Sequence, residues 1–205
     1  MTYYLDRNPR IQYLQDLLSE KGRERMIQAG RSITWEGEIR PRMAVPVFAM
    51  SRSGTLQVYP MVWGMTFPGV PGKTAPVFMT ETPTDLPAER MRKYWDFSRC
   101  AVPASWAYEP EAKVNNVTGK TEEGQERYLI QPAGMVNFYI CGIFHSEDGL
   151  PTFSLLSRPS GLDICSRTPA VIQGEYVKEW CAQDGSPDHV IRRLLVTDFI
   201  YERES

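Results

Sequence analysis

The stretch that most constrains this chain is Arg99–Glu109, RCAVPASWAYE, an apolar run that emerges into a polar tip. Cys100, Ala101 and Val102 read as a buried strand that Pro103 ends, and Trp106, Ala107 and Tyr108 lead directly to the carboxylate of Glu109. An acid carried at the end of an aromatic, apolar segment sits where desolvation raises its pKa, as a general acid or base near neutral pH requires. The residues alone leave a second reading open, in which Glu109 merely starts an acidic loop with Glu111.

A chain of 205 residues with 42% hydrophobic content can bury one sizeable core, so a single domain spanning 1–205 is expected. Twenty-three basic residues against 25 acidic ones leave a net charge of −2, so any nucleic-acid binding requires a local basic groove. No apolar run approaches the roughly 20 residues of a membrane span, and Asp6 and Arg7 interrupt the N-terminal stretch, so a cytoplasmic protein with no membrane partner is expected. Cys100, Cys141, Cys165 and Cys181 are widely spaced. That spacing predicts reduced thiols, neither a metal site nor a disulfide framework, and no cofactor.

In order, Ile11, Leu14, Leu17 and Leu18 recur at helical spacing and predict a helix from Pro9 to about Lys21. Thr2, exposed as an N-terminal residue if Met1 is trimmed, pairs a free amine with a hydroxyl, the combination used by N-terminal nucleophiles. Ala44–Met50 and Leu56–Met61 flank a Ser-Arg-Ser-Gly turn and predict a hairpin. Trp63 precedes a Gly/Pro loop and reads either as a stacking platform for a base or as a core lid. A strand over Ala75–Thr82 and a helix over Pro83–Lys93, with Thr84 as N-cap, follow.

Residues 109–128 are polar and read as an exposed hairpin tip or loop. Tyr128–Gln131, Met135–Phe144 and Phe153–Ser157 predict an antiparallel core, with His145 a surface or hydrogen-bonded histidine. Cys165 reads as a nucleophile or as a buried small side chain, and Arg167 as a phosphate clamp or the partner of an acid. A helix near Glu175–Cys181 and a final strand over Ile191–Tyr201 complete the chain.

Several of these pieces, in order, resemble the SRAP family, the SOS-response-associated peptidases that sense abasic sites in single-stranded DNA. They are Pro41-Arg42-Met43-Ala44-Val45-Pro46-Val47, Val62-Trp63-Gly64, Thr80-Glu81-Thr82, the Arg99 block with its RC-x-x-PA-x-x-x-YE pattern, Gly142-Ile143-Phe144, and Ile164–Ile172. The resemblance spans about residues 35 to 181. It implies an α+β fold, with a bent, barrel-like antiparallel sheet and peripheral helices.

The departures from the family pattern shape the functional expectation. Family members carry a cysteine after the initiator, whose thiol and amine trap the abasic aldehyde as a thiazolidine; this chain has Thr2, and an alcohol is a far poorer nucleophile. Val77-Phe78-Met79 stands in place of an N-A-R motif, and Cys165 in place of a histidine, while Glu109 is retained. The resemblance therefore implies a divergent member that has lost the covalent and autopeptidase chemistry; a monomeric, phage-related protein is expected. Three functions stay open: a binder of single-stranded or abasic-site DNA contacting it through Trp63, Pro41, Arg42, Arg99 and Arg167; an enzyme of altered mechanism using the Thr2 amine, Glu109 and Cys165; and a protein-interaction scaffold built on Trp63 and its loop.

Overall fold

Strand phase decides the architecture, which a computed structural model describes for residues 1–5, 10–67, 76–81, 89–114, 121–147, 149–182 and 186–204, with backbone alone at 10–12, 81, 89–91, 109–114, 121–125 and 147. In β3 (Ala44–Met50), Val45, Val47 and Ala49 alternate with Phe48, and both sets are buried, so this strand has a core on each face. Its partners are β4 (Leu56–Trp63) and β6 (Arg99–Ala104), which continue through β9 (Phe138–Glu147) and β10 (Leu150–Pro159). β10 pairs both with β9, antiparallel, and with β4, parallel, which closes the five strands into a ring.

The expected α+β barrel is what forms, but its sheet is mixed, β10 pairing in parallel with both β4 and β5. Val45, Val47, Ala49, Met61, Trp63, Cys100, Val102 and Phe153 share one buried cluster. The opposite faces carry Phe48, Val58, Cys141 and Ile143, which pack under the helices. Short strands β5 (Met79–Glu81), β11 (Arg167–Pro169) and β12 (Val171–Ile172) extend the ring.

A second, fully antiparallel sheet has the order β13–β8–β7–β1–β2, built from Phe199–Arg203, Thr121–Pro132, Trp106–Val114, Thr2–Leu5 and Gly37–Ile39. Its inward residues Tyr3, Leu5 and Ile39 join the Trp63 cluster, with Tyr3 and Trp63 ring centroids 5.3 Å apart. Each such aromatic side chain removes roughly 150–250 Å² of surface from water. That packing pins the start of the chain to the barrel.

Several expectations change. Pro103 does not end its strand; it pairs with Tyr139 inside β6, at a position beyond the last β3 partner, Ala101, where a missing N–H costs no ladder bond on that side. The break falls instead at Ser105, where the chain leaves the barrel and enters the second sheet as β7. The polar stretch after Glu109 forms the long β7–β8 hairpin, whose tip, 115–120, lies outside the described residues.

The N-terminal helix stops at Asp16 as α1 (Arg10–Asp16), and Ser19, accepting from the Gly22 N–H at 3.3 Å, caps a second helix, α2 (Glu20–Gln28). The helix expected at Pro83–Lys93 falls largely outside the described residues; α3 runs over Glu89–Phe97. Near the C-terminus α4 (Val177–Cys181) forms as expected, but Val190, Ile191 and Leu194 recur at helical, not alternating, spacing behind Pro187 and make α5 (Pro187–Leu194), leaving only β13 as strand.

Candidate functional site

Antiparallel pairing of β1 with β7 lays Thr2 opposite Tyr108 and Tyr4 opposite Trp106. The Glu109 backbone, paired with Tyr128, lies one residue beyond that pair; its side chain is outside the described residues. Two residues singled out by sequence, 107 positions apart, thus come from adjacent strands at neighbouring register positions.

Because Tyr3 and Leu5 point into the core, Thr2 and Tyr4 take the outer face of the sheet. Tyr4 stacks on Trp106 with centroids 4.8 Å apart and planes 14° off parallel. The Thr2 hydroxyl donates to Glu38 Oε1 at 3.0 Å and accepts from Arg127 Nη2 at 3.1 Å. Arg127 also donates to Glu38 Oε1 at 2.8 Å, and its guanidinium lies 4.3 Å from the Tyr108 ring centroid. Arg40, largely exposed, donates to the other carboxylate oxygen, Glu38 Oε2, at 2.8 Å.

Met1, Thr2, Glu38, Arg40, Tyr108 and Arg127 line a surface pocket of about 210 Å³. The Arg40 hydrogen bond, then the Thr2 hydroxyl and the charge of Arg127, hold the Glu38 carboxyl below the usual carboxylate range against the opposing effect of desolvation. A carboxylate fixed as an anion between two arginines is an acceptor and a positioning group, and it leaves each guanidinium with spare donors for an anion.

Of the other sequence candidates, Trp63 is 1% exposed, between Phe153 and Tyr3, and its indole N–H donates to the Phe78 carbonyl at 2.7 Å. The core-lid reading holds, and Trp63 has no face for a base or a partner protein. Gly64 beside it takes φ +125°, with Phe78 so close that an added Cβ would lie 2.6 Å from its ring.

Arg99 is corrected likewise. It is 1% exposed, its Nε donates to the Trp180 carbonyl at 2.7 Å, and its Nη1 donates to the carbonyls of Trp95 and Asp96 at 3.0 and 2.9 Å. It ties α3 and α4 to the barrel and cannot reach a phosphate.

Arg167 is half-buried on the β10–β11 hairpin, donating from Nε to Ser157 Oγ at 2.9 Å and from Nη2 to the Ser157 carbonyl at 3.1 Å. Cys165 is partly buried in the loop before it, its thiol 3.6 Å from Ser160 Oγ, and is not among the residues lining the Thr2 pocket. Cys100, Cys141 and Cys181 are buried, and burial pushes each thiol up. Among the described residues no cluster of three His, Cys, Asp or Glu is arranged to hold a metal ion, and no helix is long and apolar enough to cross a membrane.

Pro41 and Arg42 form the corners of a turn closed by the Met43 N–H to the Arg40 carbonyl at 3.2 Å. Arg42 is exposed and adopts φ +73°. Thr2 and the Glu109 backbone come together on β1 and β7, while Pro41 and Arg42 follow Arg40, which lines the Thr2 pocket, and Arg42 lines a separate cleft. Sequence reasoning missed Glu38, Arg40, Tyr108 and Arg127. A period-2 reading of E-I-R at 38–40 would have placed Glu38 and Arg40 on one strand face.

No family model matches the chain, and no curated protein matches it. Among solved structures, a phage-related protein from Bordetella bronchiseptica shares the fold at a TM-score of 0.64 and 15% identity, over 82% of this chain and 81% of that one. A second Bordetella bronchiseptica protein matches at 0.60 and 15% over 100% and 99%, and one from Bacteroides thetaiotaomicron at 0.59 and 14% over 90% and 88%. At such identities the likeness establishes a shared fold and nothing finer.

Proposed function

We propose that this chain is an SRAP-like protein that binds single-stranded and abasic-site DNA noncovalently in the DNA-damage response, its thiazolidine and autopeptidase chemistry lost. The observation that carries the reading is the Thr2 pocket: the N-terminal strand delivers Thr2 beside Tyr108 and the Glu109 backbone, with Arg40 and Arg127 at its rim. The hydroxyl there is held on both sides, donating to the Glu38 carboxylate and accepting from Arg127, and an alcohol is a far poorer nucleophile than a thiolate. An exposed sugar-phosphate would find two guanidiniums and an aromatic face, the groups used for phosphate contact and stacking.

The test is a gel shift against single-stranded DNA with and without one abasic site, at two salt concentrations, with half of each sample treated with borohydride. A salt-sensitive shift without a trapped band is expected. Should Met1 be removed, which intact mass shows directly, the Thr2 amine would stand in the same pocket. An imine formed there from amine and aldehyde with loss of water would be reduced to a stable adduct, and an abasic-specific trapped band would replace the noncovalent reading with the amine enzyme.

A further inference from the structure

The turn Arg40-Pro41-Arg42-Met43 separates two concavities. Arg40 lines the Thr2 pocket, and Arg42, two residues on, lines a cleft of about 290 Å³ with Gly30, Arg31, Ser32 and Thr34. Arg31 and Ser32 also line a larger cleft of about 440 Å³, whose wall includes Arg23, Ile27 and Trp35. The two clefts therefore adjoin along the segment from α2 to β2.

Among the described residues their combined lining holds Arg23, Arg31 and Arg42 and no carboxylate, in a chain whose net charge is −2. Trp35 is partly buried, its inner side packed against the helix-covered core. This arrangement combines cations along one path with an anchored indole beside them.

Arg42 carries a second signal. At position i+2 of a Pro-initiated turn with φ +73°, glycine is the relaxed residue, and a side chain with a Cβ costs on the order of 1 kcal/mol. The turn carries Arg42 onto the wall of the second cleft, and the Arg42 carbonyl accepts from Arg31 Nη1 at 3.2 Å, which links the two residues.

We propose that the cleft from Trp35 past Arg31 to Arg42 is the channel for the single strand that flanks the nucleotide held at Thr2, with the arginines on phosphates and Trp35 against a base. This rests on the DNA-binding reading above and adds its path. The charge pattern favours a nucleic-acid strand: three arginines without an acid complement a continuous anion better than a peptide of mixed charge.

The experiment is a fluorescence-anisotropy titration of a labelled oligothymidylate across salt, using wild type, Arg42→Gly, Arg31→Gln and, as a control on the Ser51–Gly54 turn, which lines neither cleft, Arg52→Gln. Arg42→Gly relaxes the turn, so its fold survives. It and Arg31→Gln are expected each to weaken binding several-fold and to lower the salt slope by about 0.7, while Arg52→Gln leaves both unchanged. A wild-type crosslinking experiment with iodouracil-containing DNA is expected to label the peptide containing Trp35, and Trp35→Ala to weaken binding by roughly five- to 100-fold.

Wild type that binds DNA while the three arginine variants behave alike overturns the channel and leaves the DNA-binding reading standing. Affinity for thymidine monophosphate equal to that for the oligomer makes the cleft a small-molecule site and also overturns it. No DNA binding by wild type at low salt overturns the reading and the channel together.

Discussion

Arg99 on β6 and Arg127 on β8 each set a guanidinium against an aromatic ring, yet the barrel and the second sheet use them in opposite ways. Arg99 lies inside, its guanidinium 5.6 Å from the Trp180 ring and its donors on backbone carbonyls of α3 and α4. Arg127 lies on the outer sheet face, 4.3 Å from Tyr108, with its donors on side chains that line a pocket. The first replaces water with carbonyls and fixes helices; the second keeps capacity for a ligand. Residue type is common to both, and strand phase with what covers each face separates them.

The largest effect that sharpens this contrast is expected at the buried pair. Arg99→Ala removes a charged donor from two buried carbonyls and one part-buried carbonyl and is expected to destabilise by about 3–5 kcal/mol, read as a shift in the urea midpoint. Trp63→Ala, which empties space between Phe153 and Tyr3, is expected to cost a similar 3–5 kcal/mol. If either variant folds as wild type and loses only DNA binding, the division between structural and ligand-facing residues fails.

Arg127→Ala comes next. It breaks exposed pairing to Glu38 and Glu204 at a cost of about 1 kcal/mol or less, while a several-fold loss of DNA affinity is expected at low salt. A stability loss matching that of Arg99→Ala would merge the two regions.

Glu38→Gln tests the electrostatics of the rim. The folded carboxyl is held below its ordinary range, so its contribution is present above the usual carboxylate pKa and is lost as pH falls through the lower folded value. Wild type is therefore expected to be the more stable at neutral pH and to converge with Glu38→Gln below about pH 4, in denaturant midpoints measured across pH. A difference that persists in acid would assign Glu38 a role independent of its charge.

The smallest effect is expected at Arg42→Gly, neutral or stabilising by up to about 1 kcal/mol because it relaxes a positive φ. A marked drop in thermal midpoint would show that Arg42 supports the fold.

Much of the barrel was legible because its strands carry their own signals: Ala44–Met50 and Leu56–Trp63 flank a turn-forming tetrapeptide, and Val45, Val47 and Ala49 keep period 2. The α5 segment was misread because an apolar run with arginines fits either period over a short window, and the Pro187 start signal decided it. Ser19 as a cap, and hence α2, was hidden by the continuous apolar spacing before it.

The site was half legible. Thr2 and the Arg99–Glu109 block could be singled out locally, but their juxtaposition depends on β1 pairing with β7 across the sequence, which no local pattern encodes. Glu38 and Arg127 matter only through that pairing, and Trp63 and Arg99 were drawn toward DNA because burial in a barrel that switches sheets at Ser105 is a property of the whole fold.

The most direct test of the DNA-binding account is the salt dependence of wild-type affinity for single-stranded DNA. With three to five arginines on phosphates, the logarithm of the association constant is expected to fall with the logarithm of salt at a slope of about −2 to −3.5. A slope near zero, or no binding at low salt, would contradict it.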